Sequence, residues 1–499
     1  MMKKLYTLII TLAATLCLQA QDKKPNILLI ISDDFSPKVF ETNKDRPQRQ
    51  AKTPNLDAFA AQSTVFENTH IMGSWTGAVC MASRTALNTG YSIWKANSTG
   101  KNGNEGIKKI LADEESWSQL MKKAGYFTYM TGKWHVSGMS VPKIFDKSKD
   151  VFGGMFGGTP KYGYNRPIEG QVDQWDPSDP SLGGFWQKKQ DGKHATEITA
   201  DNAIDFLSTY KEEKEKPFFA YVAFNAPHDP RQAPKEYLDM YDLEGIQVPA
   251  NHMQENPNAV ASGIRTIRDE NLASYPRTDF VVKTHMKEYF AIITHLDHHI
   301  GRVLKALDDA KFNRETIVIF TADHGLAMGE HGYLGKQNMY EASNRTPLFI
   351  RGGTFKAGTK IKTPIYMQDI MPTTLEIAGA EKPAMVDYKS LIALSKNPKL
   401  EQYDSIYAAY IELQKLIIKD GFKLIHYTQN GAYLLFDLNN DPEELHDLIN
   451  DAKYAKKIEE LKALLAEKEA YYKSLAIDGQ IVSGSETKGK TAKKTKKAE

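Results

Sequence analysis

Apolar residues in this chain fall in short unbroken runs, and the runs alternate with segments whose apolar positions recur every three to four residues. An unbroken run suits a strand buried on both faces, and the 3.6-residue spacing suits an amphipathic helix. The alternation predicts an α/β fold with a mostly parallel sheet. Its clearest helix is EYFAIITHLDHHIGRVLKALDDA, residues 288–310. The stretch from Val151 to His194 is rich in Gly and Trp and has little regular pattern. An irregular segment that long in a compact domain tends to be functional, so it is a candidate wall of a substrate cleft. After about Ser395 the pattern changes to LIIKDGFKLIHY and AYLLFDL, short alternating strands, and then to a charged helix over roughly 452–474. That predicts a small α+β appendage.

Four of the apolar runs share a feature. ILLIISDD (27–34) ends in Asp33 and Asp34, and YFTYMTGKWH (126–135) in Lys133 and His135. FFAYVAFNAPHDP (218–230) ends near His228, and TIVIFTADHG (316–325) in Asp323 and His324. Open α/β sheets bind ligands at the carboxyl ends of their strands, so polar clusters at four such ends predict one shared site.

The organisation is therefore 1–20 leader, 21–395 main α/β domain, 396–480 C-terminal subdomain and 481–499 tail. The tail, ending SETKGKTAKKTKKAE, is basic, low in complexity and expected to be disordered. At the other end, Lys3 and Lys4 precede an apolar run from Leu5 to Leu18 and then Ala20. That is a signal-peptide pattern, too short for the roughly 20 apolar residues of a membrane span. It predicts a periplasmic or secreted protein with no integral membrane segment after cleavage; a lipid anchor on Cys17 fits less well, because Ala14-Thr15-Leu16 is a poor lead-in. Net charge is +2, which gives no reason to expect a nucleic-acid partner. Of the two cysteines, only Cys80 survives removal of the leader, so it has no intramolecular disulfide partner.

The chemistry-bearing residues each admit a plain reading. Asp33-Asp34 suits a capped strand end. Adjacent ionised carboxylates repel, however, and together with Asp323 they form an oxygen-rich set for Ca²⁺ or, less well, Mg²⁺. His324 is a softer ligand. Cys80 packs as a small core hydrophobe or, if a helix begins there, sits among free N–H groups with Arg84 one turn on. Lys133 with His135, His228 in a Pro-rich turn, and Lys336 all suit exposed or turn positions. His295, Asp297, His298 and His299 look like a metal cluster, but on a helix 295 and 299 share a face while 297 points away, which favours packing. His70, Trp75 and Arg231 flank the motifs as candidate substrate-binding residues.

CMASRTALNTG (80–90) resembles the signature of type I sulfatases, within the alkaline-phosphatase-like superfamily. NILLIISDD, GYFTYMTGKWH, FNAPHDP and FTADHGLAMGEHGYLGKQNMYEASNRTPLFIRGG are similar to further motifs of that family, in its order. YMQDIMPTTLEIAG and LFDLNNDPEELHDL extend the likeness, which runs from about Pro25 to Leu448. It implies a three-layer α/β/α sandwich around a mixed, mostly parallel sheet, with a smaller C-terminal sheet and helix. It also implies hydrolysis of a sulfate monoester, with Cys80 converted to formylglycine by a sulfatase-maturating enzyme. Asp33, Asp34, Asp323, His324 and modified Cys80 then hold Ca²⁺, while Arg84 and Lys133 steady the aldehyde hydrate. His135 acts as base, His228 as acid, and Lys336 holds sulfate. Ala82 stands where proline is commoner, Tyr91 where a basic residue is usual, and His324 where asparagine is frequent. An exported enzyme with a large cleft-shaping segment points to sulfated carbohydrate as substrate. The alternatives are a phosphodiesterase or phosphonate monoester hydrolase on the same fold, and a non-catalytic binder of sulfated glycan with an unmodified Cys80.

Overall fold

The computed structural model describes residues 24–40, 50–98, 105–113, 115–136, 138–156, 162–210, 216–264 and 267–477. The leader with Cys17 and the tail 481–499 lie outside the described residues.

The main sheet has eight strands: β1 (Asn26–Ser32), β2 (Thr64–Phe66), β3 (Phe127–Lys133), β4 (Lys147–Phe152), β5 (Phe218–Ala223), β6 (Thr316–Ala322), β7 (Leu348–Arg351) and β8 (Lys360–Ile361). Their order is β8-β2-β7-β6-β1-β5-β3-β4, and only β7 runs against its neighbours. The four apolar runs with charged ends are thus β6, β1, β5 and β3, adjacent and parallel. Alternate residues of β1 separate two cores: Ile27, Leu29 and Ile31 face one way, Leu28 and Ile30 the other. Each such side chain contributes about 1.5–3 kcal/mol on burial.

On the Leu28 face lie helices α1 (Pro54–Ala61), α3 (Ala195–Thr209) and α4 (Asp279–Ala310). On the Ile27 face lie α2 (Val79–Thr89), Trp117 and the segment around Ile370. This is the three-layer α/β/α arrangement. The long helix starts nine residues before the clear periodicity, at the N-cap Thr278, whose hydroxyl accepts from Val281 N. Its Asp297 accepts from the backbone N–H groups of Asn55 (3.1 Å) and Leu56 (2.7 Å), filling the cap that Thr53 leaves open at the start of α1. His295 and His299 meet at 3.0 Å through their Nε2 atoms, His295 packing edge-on against His194. The histidine-rich stretch is therefore helix packing.

The C-terminal part forms an antiparallel sheet of β9 (Ile406–Tyr410), β10 (Gln414–Lys419), β11 (Phe422–Tyr427) and β12 (Ala432–Asp437), covered by α5 (Ala455–Ser474). It is not separate from the main domain. Gly73–Ser74, just ahead of α2, adds a parallel edge strand to β9. Gly73 has φ +86°, and a Cβ there would lie 2.0 Å from the carbonyl oxygen of Ala409. The buried Lys423 of β11 pairs with Glu341 (3.0 Å) and Glu444 (2.7 Å), tying this sheet to the chain shortly after Lys336. Replacing Gly73 by alanine combines a left-handed backbone with a clash against main chain. It should cost about 2–4 kcal/mol, read as a lower midpoint in urea melts; an unchanged midpoint would mean that the two sheets are not locked together here.

Of the Val151–His194 stretch, the first two residues complete β4, an exposed edge strand that its charged sequence KSKDVF did not suggest. Phe185 and His194 further along are buried, Phe185 within the Leu28-side core. Among the described residues, no helix is long and apolar enough to cross a membrane.

Candidate active site

The carboxyl ends of β1, β6, β5 and β3 bring Asp33, Asp34, Asp323, His324, His228 and Lys133 to one place, and α2 supplies Cys80 from its first turn. Local backbone aims several of these groups. A bulge between Thr131 and Gly132 interrupts the β3–β4 register, and Gly132 takes φ +90°, with room for no Cβ beside Ala223. Lys133 is thereby turned onto Asp33, with which it forms a buried ion pair. Asp34 (φ 60°) and His135 (φ 49°) are non-glycine residues in left-handed backbone, a state that persists only when neighbours enforce it. For Asp34, Tyr289 of α4 donates to its carbonyl oxygen at 2.5 Å, and its N–H points to Asp323 Oδ1 at 3.4 Å.

Cys80 is 2% exposed. Its Sγ lies 3.2 Å from His324 Nε2 and 3.3 Å from Lys336 Nζ. Burial pushes its thiol up, but Lys133, Lys336 and His324 overcome this and hold it well below the usual thiol range. Lys336 also donates to both oxygens of Asp34, at 2.7 and 3.0 Å. His228 gives its Nδ1 to the Asp229 carbonyl oxygen (2.7 Å), which leaves Nε2 for the cluster.

Arg84 differs from expectation. It is fully buried, and its guanidinium donates to Asp323 Oδ2 (2.7 Å) and the carbonyl oxygens of Lys133 (2.9 Å) and Ser32 (3.4 Å). It braces strand ends. Ser83 joins it, donating to the Asp323 carbonyl at 2.6 Å. Ala82 uses its N–H on the Ala78 carbonyl (3.3 Å), a bond that proline cannot make. Beside Tyr91 the cation comes from Lys95, whose Nζ sits 4.6 Å from the ring centroid and pairs with Asp387.

The donor set fits a divalent cation. Burial pushes all three carboxyls up; Lys133, His228 and Lys336 pull Asp33 down to about 2, whereas Asp34 stays raised and Asp323 reaches about 6. Asp33 Oδ1 is buried with no hydrogen-bond donor. Against the pull of burial, Asp323, Cys80 and Asp34 raise His324 to about 10. Its Nε2 lies 3.2 Å from Asp34 Oδ1, 3.5 Å from Asp323 Oδ1 and 3.8 Å from Asp33 Oδ1, so a positive charge is drawn to the point that the three carboxylates share. Oxygen-rich sites of this kind suit a hard cation.

The three candidate substrate residues lie elsewhere. His70 lines a cavity of about 780 Å³ between the main domain and the C-terminal sheet, 3.6 Å from Glu341. Trp75 packs in the Ile27-side core. Arg231 is buried behind Asp34, against His285 (3.1 Å) and over the Tyr289 ring. The structure adds Asp229, Arg268, Asp269 and Gln337 around His228 and Lys336. Sequence reading missed them because polar residues in irregular segments carry no periodic signal.

Residues 25–380 match the Sulfatase family model. The chain belongs to the sulfatase family. It is a sulfuric ester hydrolase. Residues 329–471 of this sulfatase also match the model for the N-sulphoglucosamine sulphohydrolase C-terminal region. An N-acetylglucosamine-6-O-sulfatase of Bacteroides thetaiotaomicron is 27% identical, over 91% of this chain and 88% of that one. An arylsulfatase of Clostridium perfringens is 29% identical, over 89% and 94%. Among solved structures, BT4656 in complex with D-glucosamine-2-N,6-O-disulfate superposes with a TM-score of 0.69 at 25% identity, covering 91% of the sulfatase and 99% of that chain. The phosphonate monoester hydrolase of Silicibacter pomeroyi shares the fold, with a TM-score of 0.68 at 21% identity over 91% and 96%.

Proposed function

We propose that this sulfatase is an exported enzyme, periplasmic or secreted, that removes sulfate from a sulfated carbohydrate by way of formylglycine formed from Cys80 and a bound Ca²⁺. The observation that carries the mechanism is the convergence on Cys80 of Lys336 and His324, with three buried carboxylates beside them. The substrate class rests on the likeness to relatives and structures that act on or bind sulfated glucosamine. Export rests on the leader pattern from Lys3 to Ala20.

Asp33, Asp34, Asp323 and His324 hold the cation, which when bound supplies Lewis acidity toward the sulfate oxygens. The modified Cys80, produced by a maturation enzyme, supplies a hydrated aldehyde: one hydroxyl takes the sulfate, and the other, once deprotonated, releases it. Lys336 neutralises a sulfate oxygen, and His228 protonates the leaving sugar oxygen. His135, beside position 80, takes the proton that starts release. Lys133 steadies the hydrate directly, and Arg84 acts through Asp323 and the Lys133 carbonyl.

The test compares steady-state rates on sulfate monoester, phosphonate monoester and phosphodiester substrates. Sulfate-ester hydrolysis should dominate, and Lys336→Ala and His228→Ala should each lower it by roughly two to three orders of magnitude. Dominant phosphonate or phosphodiester hydrolysis, or near-normal rates in either variant, would overturn the assignment. Sulfated-glycan binding without turnover by protein made with its maturation enzyme would make the chain a binder.

A further inference from the structure

A second layer of charge lies behind His228 and Lys336. Arg268 stands at the start of the short helical turn Asp269–Asn271, with its side chain 30% exposed. Its guanidinium forks onto Asp229, Nη1 donating to Oδ2 and Nη2 to Oδ1 at 2.8 Å. Nη2 also donates to Asp269 Oδ1 at 2.5 Å. Asp229 in turn holds His228: besides its carbonyl oxygen, its Oδ1 lies 3.1 Å from the His228 Nδ1. Asp269 Oδ2 accepts from Gln337 Nε2 at 2.7 Å and lies 3.7 Å from Lys336 Nζ. Gln337 reaches the Gly77 carbonyl oxygen as well (3.1 Å), three residues before Cys80.

Asp229 and Asp269 are both nearly fully buried and share one arginine. Two buried carboxylates so placed repel each other unless a cation lies between them, and the planar Arg268 fork meets both Asp229 oxygens and Asp269 at once. The bond that one ring nitrogen of a histidine makes sets how the other is presented. The Asp229 clamp on Nδ1 therefore decides where Nε2 points.

We infer that Arg268 is a positioning residue: by fixing the Asp229 side chain it orients His228, so that its influence falls on protonation of the leaving oxygen. The inference rests on the acid role proposed above for His228.

The experiment uses the modified, calcium-loaded enzyme and a series of aryl sulfates whose leaving phenols grow less acidic, from 4-nitrophenyl to phenyl sulfate. A good leaving group needs no acid, so Arg268→Ala should lose less than about threefold in kcat on 4-nitrophenyl sulfate. On phenyl sulfate it should lose roughly ten- to a hundredfold, a part of what a general acid contributes. Arg268→Lys, which keeps the charge without the fork, should fall between. In a His228→Ala background, Arg268→Ala should add no further loss. Equal losses across the series, or losses that add to those of His228→Ala, would show a merely structural or a substrate-binding role and overturn the inference. A crystal structure of unmodified Arg268→Ala protein gives a readout besides rate. The Asp229 carboxylate should have left His228 Nδ1, and an unchanged pair would overturn the inference too. Wild-type protein that hydrolyses no sulfate ester contradicts the proposed function and removes the basis of the inference, whereas an active wild type with a flat variant series contradicts the inference alone.

Discussion

Cys80→Ser should abolish multiple turnover, with a fall of roughly four to six orders of magnitude, the scale on which loss of an essential nucleophile is felt. The reason is chemical. A serine hydroxyl at position 80 keeps the neighbours of Cys80, namely Lys336 and His324. It can therefore attack sulfur and release the alcohol. It has no second oxygen on the same carbon to push the sulfate out, so the variant should halt as a stable sulfate ester of the introduced serine after a single equivalent of alcohol. Burst kinetics and the intact mass of the stalled protein check this. Sustained turnover by the serine variant would show that the thiol carbon is not the sulfate carrier.

The second large effect concerns stability. Asp323→Ala should lower the unfolding free energy by about 3–5 kcal/mol, the usual result of removing one partner from a buried ion pair. Arg84 has no solvent to turn to: its side chain is fully buried, and Asp323 is its carboxylate partner at 2.7 Å. Its remaining contacts, to the carbonyl oxygens of Lys133 and Ser32, cannot balance a full charge. Set against the roughly 5–15 kcal/mol that holds a typical domain, the loss is a large fraction. Activity should vanish as well, because Asp323 is one of the three carboxylates at the cation site. Urea melts on the unmodified protein isolate the stability term from catalysis; a change within about 1 kcal/mol, the scale of an exposed pair, would mean that Arg84 finds another partner.

The parts of this molecule that were legible in its sequence are those with strong local signals. β1, β3, β5 and β6 are buried on both faces and read as apolar runs, and the charged residues that end them lie together because the strands are neighbours. β10, β11 and β12 were legible from their alternating pattern and α5 from its charged amphipathic one, whereas β9 was not read. β4 was not, since an exposed edge strand has no apolar face to reveal it. Gly73–Ser74 pairs with residues more than three hundred positions away, and two residues hold no pattern that predicts such a partner. The same limit hid the partner of Arg84: spacing along a helix places it one turn from Cys80, but its rotamer follows from Asp323, which arrives from another strand. Arg268 was invisible because its meaning depends wholly on Asp229 and Asp269 meeting it in space.

The central claim is that Cys80 is the precursor of the nucleophile. Mass spectrometry of the peptide spanning Cys80, taken from active enzyme produced with a maturation system, tests it most directly. That peptide should have lost the thiol, gained an aldehyde and reacted with a hydrazide, in proportion to specific activity across preparations. Full sulfatase activity in protein whose Cys80 is entirely an unmodified thiol would contradict it.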